Sequence, residues 1–230
     1  KLTSLTESPG GLAWSPDGSW LAFTMFVPAE DPPLKVDLPR KPEGADWGPK
    51  WTYIDEIQYR RDGGGYVRPG HRHLFVLPVE GGTPRQVTSG PYDHGEPSWT
   101  PDGRALVFSA NRHDDRDRMP RNSELWRLDV EAGALTQLTD RFGPDGSPAV
   151  SPDGRRIAFT GYDDAFQGYQ TTRLYVMDAD GSNVREVAAE LDRSLGGPVW
   201  SADGRGVYVN YDSEGTGRLA FIEVGSGRVT

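Results

Sequence analysis

"SPDGRRIAF" occupies residues 151–159, and near copies stand at three other places: "SPDGSWLAF" from Ser15, "TPDGRALVF" from Thr100 and "SADGRGVYV" from Ser201. Each reads as a tight turn feeding an apolar strand. Pro supplies the φ that the first central turn residue needs, Asp caps the turn, and Gly takes the positive φ that follows. Turn chemistry therefore accounts for Asp17, Asp102, Asp153 and Asp203, and they receive no metal or acid–base role.

Each copy extends in both directions. "GGLAWS", "GEPSWT", "GSPAVS" and "GGPVWS" precede the turns as short strands, with Trp14, Trp99, Val150 and Trp200 near their ends. After the turns, Leu21, Leu106, Ile157 and Val207 are equivalent, and Phe23, Phe108, Phe159 and Val209 follow on the same face. A third strand ("HLFVLPV", "ELWRLDV", "RLYVMDA", "RLAFIEV") leads through a hairpin turn to a fourth ("RQVT", "TQLT", "REVA", "RVT"). "DADG" at 178–181 is one of those turns; it lacks the later Gly and the closing Glu of a calcium loop.

The third strand is apolar on both faces, as in Leu174, Tyr175, Val176 and Met177. Such a sheet needs a neighbour on either side, and sheets stacked radially about an axis supply two. The expected fold is all-β, a β-propeller of four-stranded antiparallel blades. The turns at Thr100, Ser151 and Ser201 are spaced by one blade each, whereas the longer interval from Ser15 to Thr100 marks an insertion. The expected blades are 10–88 (insertion at about 25–70), 95–139, 146–188 and 196–230. "KLTSLT" at 1–6 matches "ALTQLT" at 134–139 and reads as the last strand of a preceding blade. Four blades plus that strand imply part of a longer propeller. Its two end faces, with Leu74 or Phe75 at one end and Phe221 or Ile222 at the other, are expected to be open and to drive self-association.

With 35% hydrophobic residues and 26% charged, the chain suits a folded core. A net charge of −9 and no basic stripe argue against nucleic acid as a partner. No apolar run reaches membrane-spanning length, so no membrane partner is expected. There is no cysteine, hence no disulfide and no thiol nucleophile.

The repeat, with "LYVMDADGSNVREV", resembles the TolB-like propeller repeat. The run from "YRRDGGGY" through "HLFVLPVEGGTPRQVTSGPYDHGEPSWTPDGRALVFSANRHDD", residues 59–115, is similar to the propeller of bacterial acylaminoacyl peptidases in the prolyl oligopeptidase family. "TTRLYVMDADG" and "ELDRS" continue that likeness. The resemblance implies a propeller of about seven blades, paired in the same protein with an α/β-hydrolase domain that carries Ser, Asp and His. That domain is absent from this chain, and no G-x-S-x-G nucleophile elbow occurs in it. The resemblance further implies peptide substrates, screened by size by the propeller, and a cytoplasmic location; a TolB-like role as a protein-interaction module implies the periplasm. No cofactor or metal is expected. All four histidines lie within 71–113, and His71 and His73 read as polar residues at a strand edge.

Candidate functional residues sit where the repeat is interrupted. The insertion in blade one gathers Trp51, Tyr53, Glu56, Arg60 and Arg61, rings and charges that suit contact with a peptide. Arg112 follows the strand end in "SANR" and suits a substrate or interdomain carboxylate through paired hydrogen bonds. The loops at 25–70, 111–124 and 161–172 join equivalent strands and are expected on one face.

Overall fold

A computed structural model describes residues 2–29, 39–46, 48 and 52–230. The turns behave as their residues dictate. Ser15, Thr100, Ser151 and Ser201 each donate a hydroxyl to the turn Asp two residues on, at 2.5, 2.6, 2.6 and 2.7 Å. The same Asp accepts the amide of Ser19, Arg104, Arg155 or Arg205, and the Gly between has φ of 67–71°.

Four antiparallel sheets follow one another along the chain as the blades of a β-propeller. Blade one holds β1 (Gly10–Trp14), β2 (Trp20–Pro28), β5 (Gly70–Pro78) and β6 (Arg85–Gln86). A separate hairpin of β3 (Arg60–Arg61) and β4 (Gly65–Tyr66) lies in its insertion. Blade two holds β7 (Ser98–Trp99), β8 (Ala105–Ala110), β9 (Glu124–Asp129) and β10 (Leu135–Gln137). Blade three holds β11 (Asp145–Val150), β12 (Arg156–Gly161), β13 (Arg173–Asp178) and β14 (Arg185–Val187). Blade four has β15 (Leu195–Trp200), β16 (Gly206–Ser213) and β17 (Thr216–Glu223). Its expected fourth strand is reduced to the bridge between Ile222 and Val229, backed by paired amide bonds between Phe221 and Thr230.

The core lies between blades. Ala22, Leu74 and Val76 of blade one meet Leu106, Phe108 and Leu128 of blade two. Val107, Leu125 and Leu138 meet Ile157, Phe159 and Met177 in the same way, and Ala158, Leu174 and Val176 meet Val207, Val209 and Ile222. Two tryptophans fasten the inner strands: Trp99 Nε1 donates to the Ala13 carbonyl at 3.0 Å and Trp200 Nε1 to Ala149 at 2.8 Å. Blade three has Val150 at that place, and its amide instead donates to Ser98 Oγ at 3.1 Å.

The two ends differ from the expectation. Residues 2–5 form no ladder, yet Leu5 packs on Phe23, Phe75 and Leu77 much as Leu138 packs on Phe159 and Met177. Phe75 is thereby buried, and Leu74 faces blade two instead. Ile222 is likewise buried against blade three. Apolar surface is open at the start of blade one, where Trp14 is 60% exposed although its counterparts Trp99 and Trp200 are buried, and on blade four, where Leu219 is 72% and Tyr208 41% exposed. Leu74, Leu125 and Leu174, which hold the place of Leu219 in the other blades, are each 0% exposed.

Phe159, fully buried between blades two and three and stacked on Tyr175 at 5.4 Å, tests this register. Phe159→Ala is expected to cost about 3–5 kcal/mol in chemical denaturation. A loss below about 1 kcal/mol would contradict the packing.

Candidate functional site

The loops between second and third strands emerge from one end of the blades, as their topology requires, and they contact one another there. The Ile57 amide donates to both carboxylate oxygens of Asp117 at 3.0 Å, tying the first insertion to the second. Arg141, just before β11, pairs with Asp145 and reaches Asp163 of the third loop at 3.5 Å.

Under these loops the start of each third strand meets the start of the next blade's first strand, and the two positions are polar in two of three cases. Between blades one and two they are His73 and His94, with ring centroids 5.2 Å apart. Between blades two and three they are Glu124 and Asp145, and between three and four Arg173 and Leu195. One hydroxyl recurs beside the first two pairs: Thr88 Oγ1 accepts the Leu74 amide, and Thr139 Oγ1 accepts that of Leu125.

His94 is 2% exposed. Its Nδ1 lies 2.9 Å from the Arg72 carbonyl and so carries the proton, which leaves Nε2 to accept from Arg112 Nη1 at 3.2 Å. Burial pushes His94 down to about 4, so it is neutral at pH 7. Arg112 is also fixed by rings, with its guanidinium carbon 4.3 Å from the centroid of Tyr92 and 5.4 Å from that of Trp126. Arg116 lies over Tyr92 as well, at 5.2 Å. No carboxylate among the described residues pairs with Arg112, and burial lowers its pKa. A half-buried guanidinium with its rotamer set and no anion beside it is organised for an anion from outside.

A cavity of about 740 Å³ opens beside these groups, with Glu56, Arg61, His71, Tyr92, His94 and Arg116 in its wall. Of the residues expected from sequence, Glu56 and Arg61 reach this wall; Arg112 does not line it but touches Tyr92 and His94, which do. Tyr53 and Arg60 are exposed in the insertion and are not in the wall; Trp51 lies outside the described residues. His73 is not an edge residue: it is 5% exposed, and burial lowers its pKa. His71 is partly exposed, 3.8 Å from Asp93. His94, Tyr92 and Trp126 escaped the sequence reading, since each falls inside the repeat rather than in an interruption. Among the described residues no cluster of His, Asp and Glu has the arrangement of a metal site.

Glu124 is the other unusual group. It is 1% exposed, accepts the Thr139 hydroxyl at 2.6 Å and lies 3.4 Å from His113 Nε2. Burial raises its carboxyl to about 7, and the nearby Asp145 charge adds to the effect.

Comparison with known proteins now bears on these residues. The family model for the dipeptidyl peptidase IV N-terminal region matches residues 64–167. The uncharacterized peptidase YuxL of Bacillus subtilis is 34% identical over 110 residues, 46% of this chain and 16% of that protein. The chain is a β-propeller similar to the propeller region of such peptidases. Solved structures share its fold. The uncomplexed acylaminoacyl peptidase of Pyrococcus horikoshii has a TM-score of 0.67 at 16% identity, over 100% of this chain and 32% of that one. A TolB-type protein of Agrobacterium tumefaciens has a TM-score of 0.59 at 23% identity, over 98% of this chain and 80% of that one. The resemblance drawn from the repeats and from residues 59–115 is thereby borne out. The chain spans about a sixth of the Bacillus protein and a third of the Pyrococcus enzyme.

The raised pKa of Glu124 gives a pH dependence of fixed sign. The folded chain keeps a proton that the unfolded chain releases above its ordinary value of 4.5, so stability is fully present below that pH. It is lost as pH rises towards about 7, and Asp145, also raised by burial, acts in the same direction. Denaturation series from pH 4.5 to 8 are expected to show this decline, and Glu124→Gln to flatten it. An unchanged slope in the variant would place the proton elsewhere.

Proposed function

We propose that this propeller is the non-catalytic part of a cytoplasmic serine peptidase of the acylaminoacyl peptidase type. In this reading its loop-bearing face covers the active site of an α/β-hydrolase domain and limits the size of peptides that reach it. The observation that carries the reading is Arg112, held by Tyr92, Trp126 and His94 and unpaired with any described carboxylate. Its anion is the carboxylate of a peptide or of the facing domain. The match to the dipeptidyl peptidase IV N-terminal region, which runs from the β3–β4 hairpin through Arg112, supports it. Acyl transfer to a serine, with its oxyanion hole, belongs to the hydrolase domain.

A second reading, a TolB-like module that binds a protein partner with no hydrolase, is favoured by the Agrobacterium structure, 80% of which this chain covers. The exposed face of blade four, with Leu219 and Tyr208, is then the place for self-association or a partner.

The purified chain is expected to hydrolyse no acylaminoacyl ester and to take up no fluorophosphonate label. Joined to an α/β-hydrolase domain of that type, it is expected to gain both activities. Arg112→Gln is then expected to raise KM for peptides with a free C-terminus by about tenfold, the loss of one charged hydrogen-bonding partner. A downstream sequence without a nucleophile elbow would overturn the peptidase reading in favour of the TolB-like one.

A further inference from the structure

The interface between blades two and three departs from its neighbours at one cross-strand pair. In blade one Val76 lies opposite Arg85, and in blade three Val176 lies opposite Arg185. Both arginines reach into the next blade: Arg85 Nη2 donates to the Val130 carbonyl at 2.9 Å and Arg185 Nη2 to that of Val224 at 2.7 Å. Both valines are buried beneath them. In blade two the pair is Arg127 opposite Thr136. The guanidinium has moved from the fourth strand to the third, and a short hydroxyl stands where the bridging arm stands elsewhere.

The carbonyl left over is that of Ala179. Ala179 donates its amide to Arg155 as Val130 does to Arg104 and Val224 to Arg205, so the three residues are equivalent. No described side chain of blade two hydrogen-bonds to the Ala179 carbonyl. In place of the arm there is a cavity of about 790 Å³. Leu138, Val150 and Ile157 give it an apolar wall, Thr136 and Ala179 flank it, and Asp102, Asp153 and Asp180 stand in its lining. Arg127 also lines it, on the side of Asp102, whose carboxyl is kept low by Thr100, by the Arg104 amide and in part by Arg127. Three carboxylates against one guanidinium leave the lining net negative.

We propose that this cleft is a binding site for a basic side chain, arginine above all, presented by a peptide segment. The guanidinium takes the Ala179 carbonyl and the Asp180 carboxylate while its stem lies along Leu138 and Ile157. It thereby occupies the place that Arg85 and Arg185 fill in the neighbouring interfaces. The shape of the site follows from the repeat itself: the fold supplies the acceptor three times and the donor twice. The site is independent of the peptidase reading, because it lies at the turn end of the blades, away from the loop-bearing face.

The test uses the whole chain and follows the amide resonances of Ala179, Asp180 and Leu138 during titration with N-acetyl-Leu-Arg-amide. Saturable shifts at millimolar peptide are expected, at least tenfold weaker for the citrulline analogue and weaker again for the glutamate analogue. Thr136→Arg rebuilds the missing arm and is expected to abolish the shifts, whereas Thr136→Ala is expected to keep them. Arg127→Val combined with Thr136→Arg, which copies blades one and three in full, provides a second blocked form. Thermal unfolding verifies that each variant folds. Equal response to arginine and citrulline, preference for glutamate, shifts that persist in both blocked forms, or no saturation up to about 10 mM would each overturn the proposal.

Discussion

A four-stranded sheet that is apolar on both faces has no stable existence in water by itself, and that constraint orders this whole molecule. Each blade is completed by the next, through a face of the Val107, Ala158 type laid against a face of the Phe108, Phe159 type. Each interface then needs polar fasteners where the strands end, because buried backbone groups must be paired. The tryptophan-to-carbonyl bonds at the inner strands and the arginine-to-carbonyl bonds at the outer strands are those fasteners. Where one is exchanged, as at Val150 or Thr136, the local chemistry changes while the fold does not.

The same logic separates scaffold from site. Turn aspartates such as Asp17 and Asp203 are pulled down to about 2 by neighbouring hydroxyls and amides, so they stay ionised and exposed. Their regularity is that of turns, not of catalysis. His94 and Glu124 are different, because the fold buries them at the loop end of two interfaces and shifts each towards its neutral form. Neutral His94 is a proton acceptor of fixed orientation, and that is what holds Arg112 in place.

The fold was legible in the sequence because its signal was repeated. Four turns with one spacing and a third strand apolar on both faces leave few architectures open. The end faces were misjudged, since a strand's sequence does not say which of its faces meets which neighbour. Phe75 and Ile222 are covered, and Leu219 is not. At the site, Arg112 stood out because it breaks the repeat. Tyr92, His94 and Trp126 were hidden because rings and histidines inside a strand pattern look like core. Only the pairing of strands brings Trp126 and Tyr92, from different strands and loops, onto one guanidinium.

The insertion in blade one bears on the order in which the blades assemble. To pair β2 with β5 the chain must close residues 29–69, about three times the length of 111–123 between β8 and β9. Closure entropy grows as the logarithm of length, so the excess is only about 1 kcal/mol, but it enters before any contact of that blade is made. Blades two and three, with short loops, and blade four, whose β16–β17 hairpin turns over residues 214–215, have the lower contact order and are the natural nucleus. Blade one then docks after them, its first strand fastened when Trp99 finds the Ala13 carbonyl and its long arm when the Ile57 amide finds Asp117. A chain emerging from the ribosome thus carries its first blade unfinished until its second is already built.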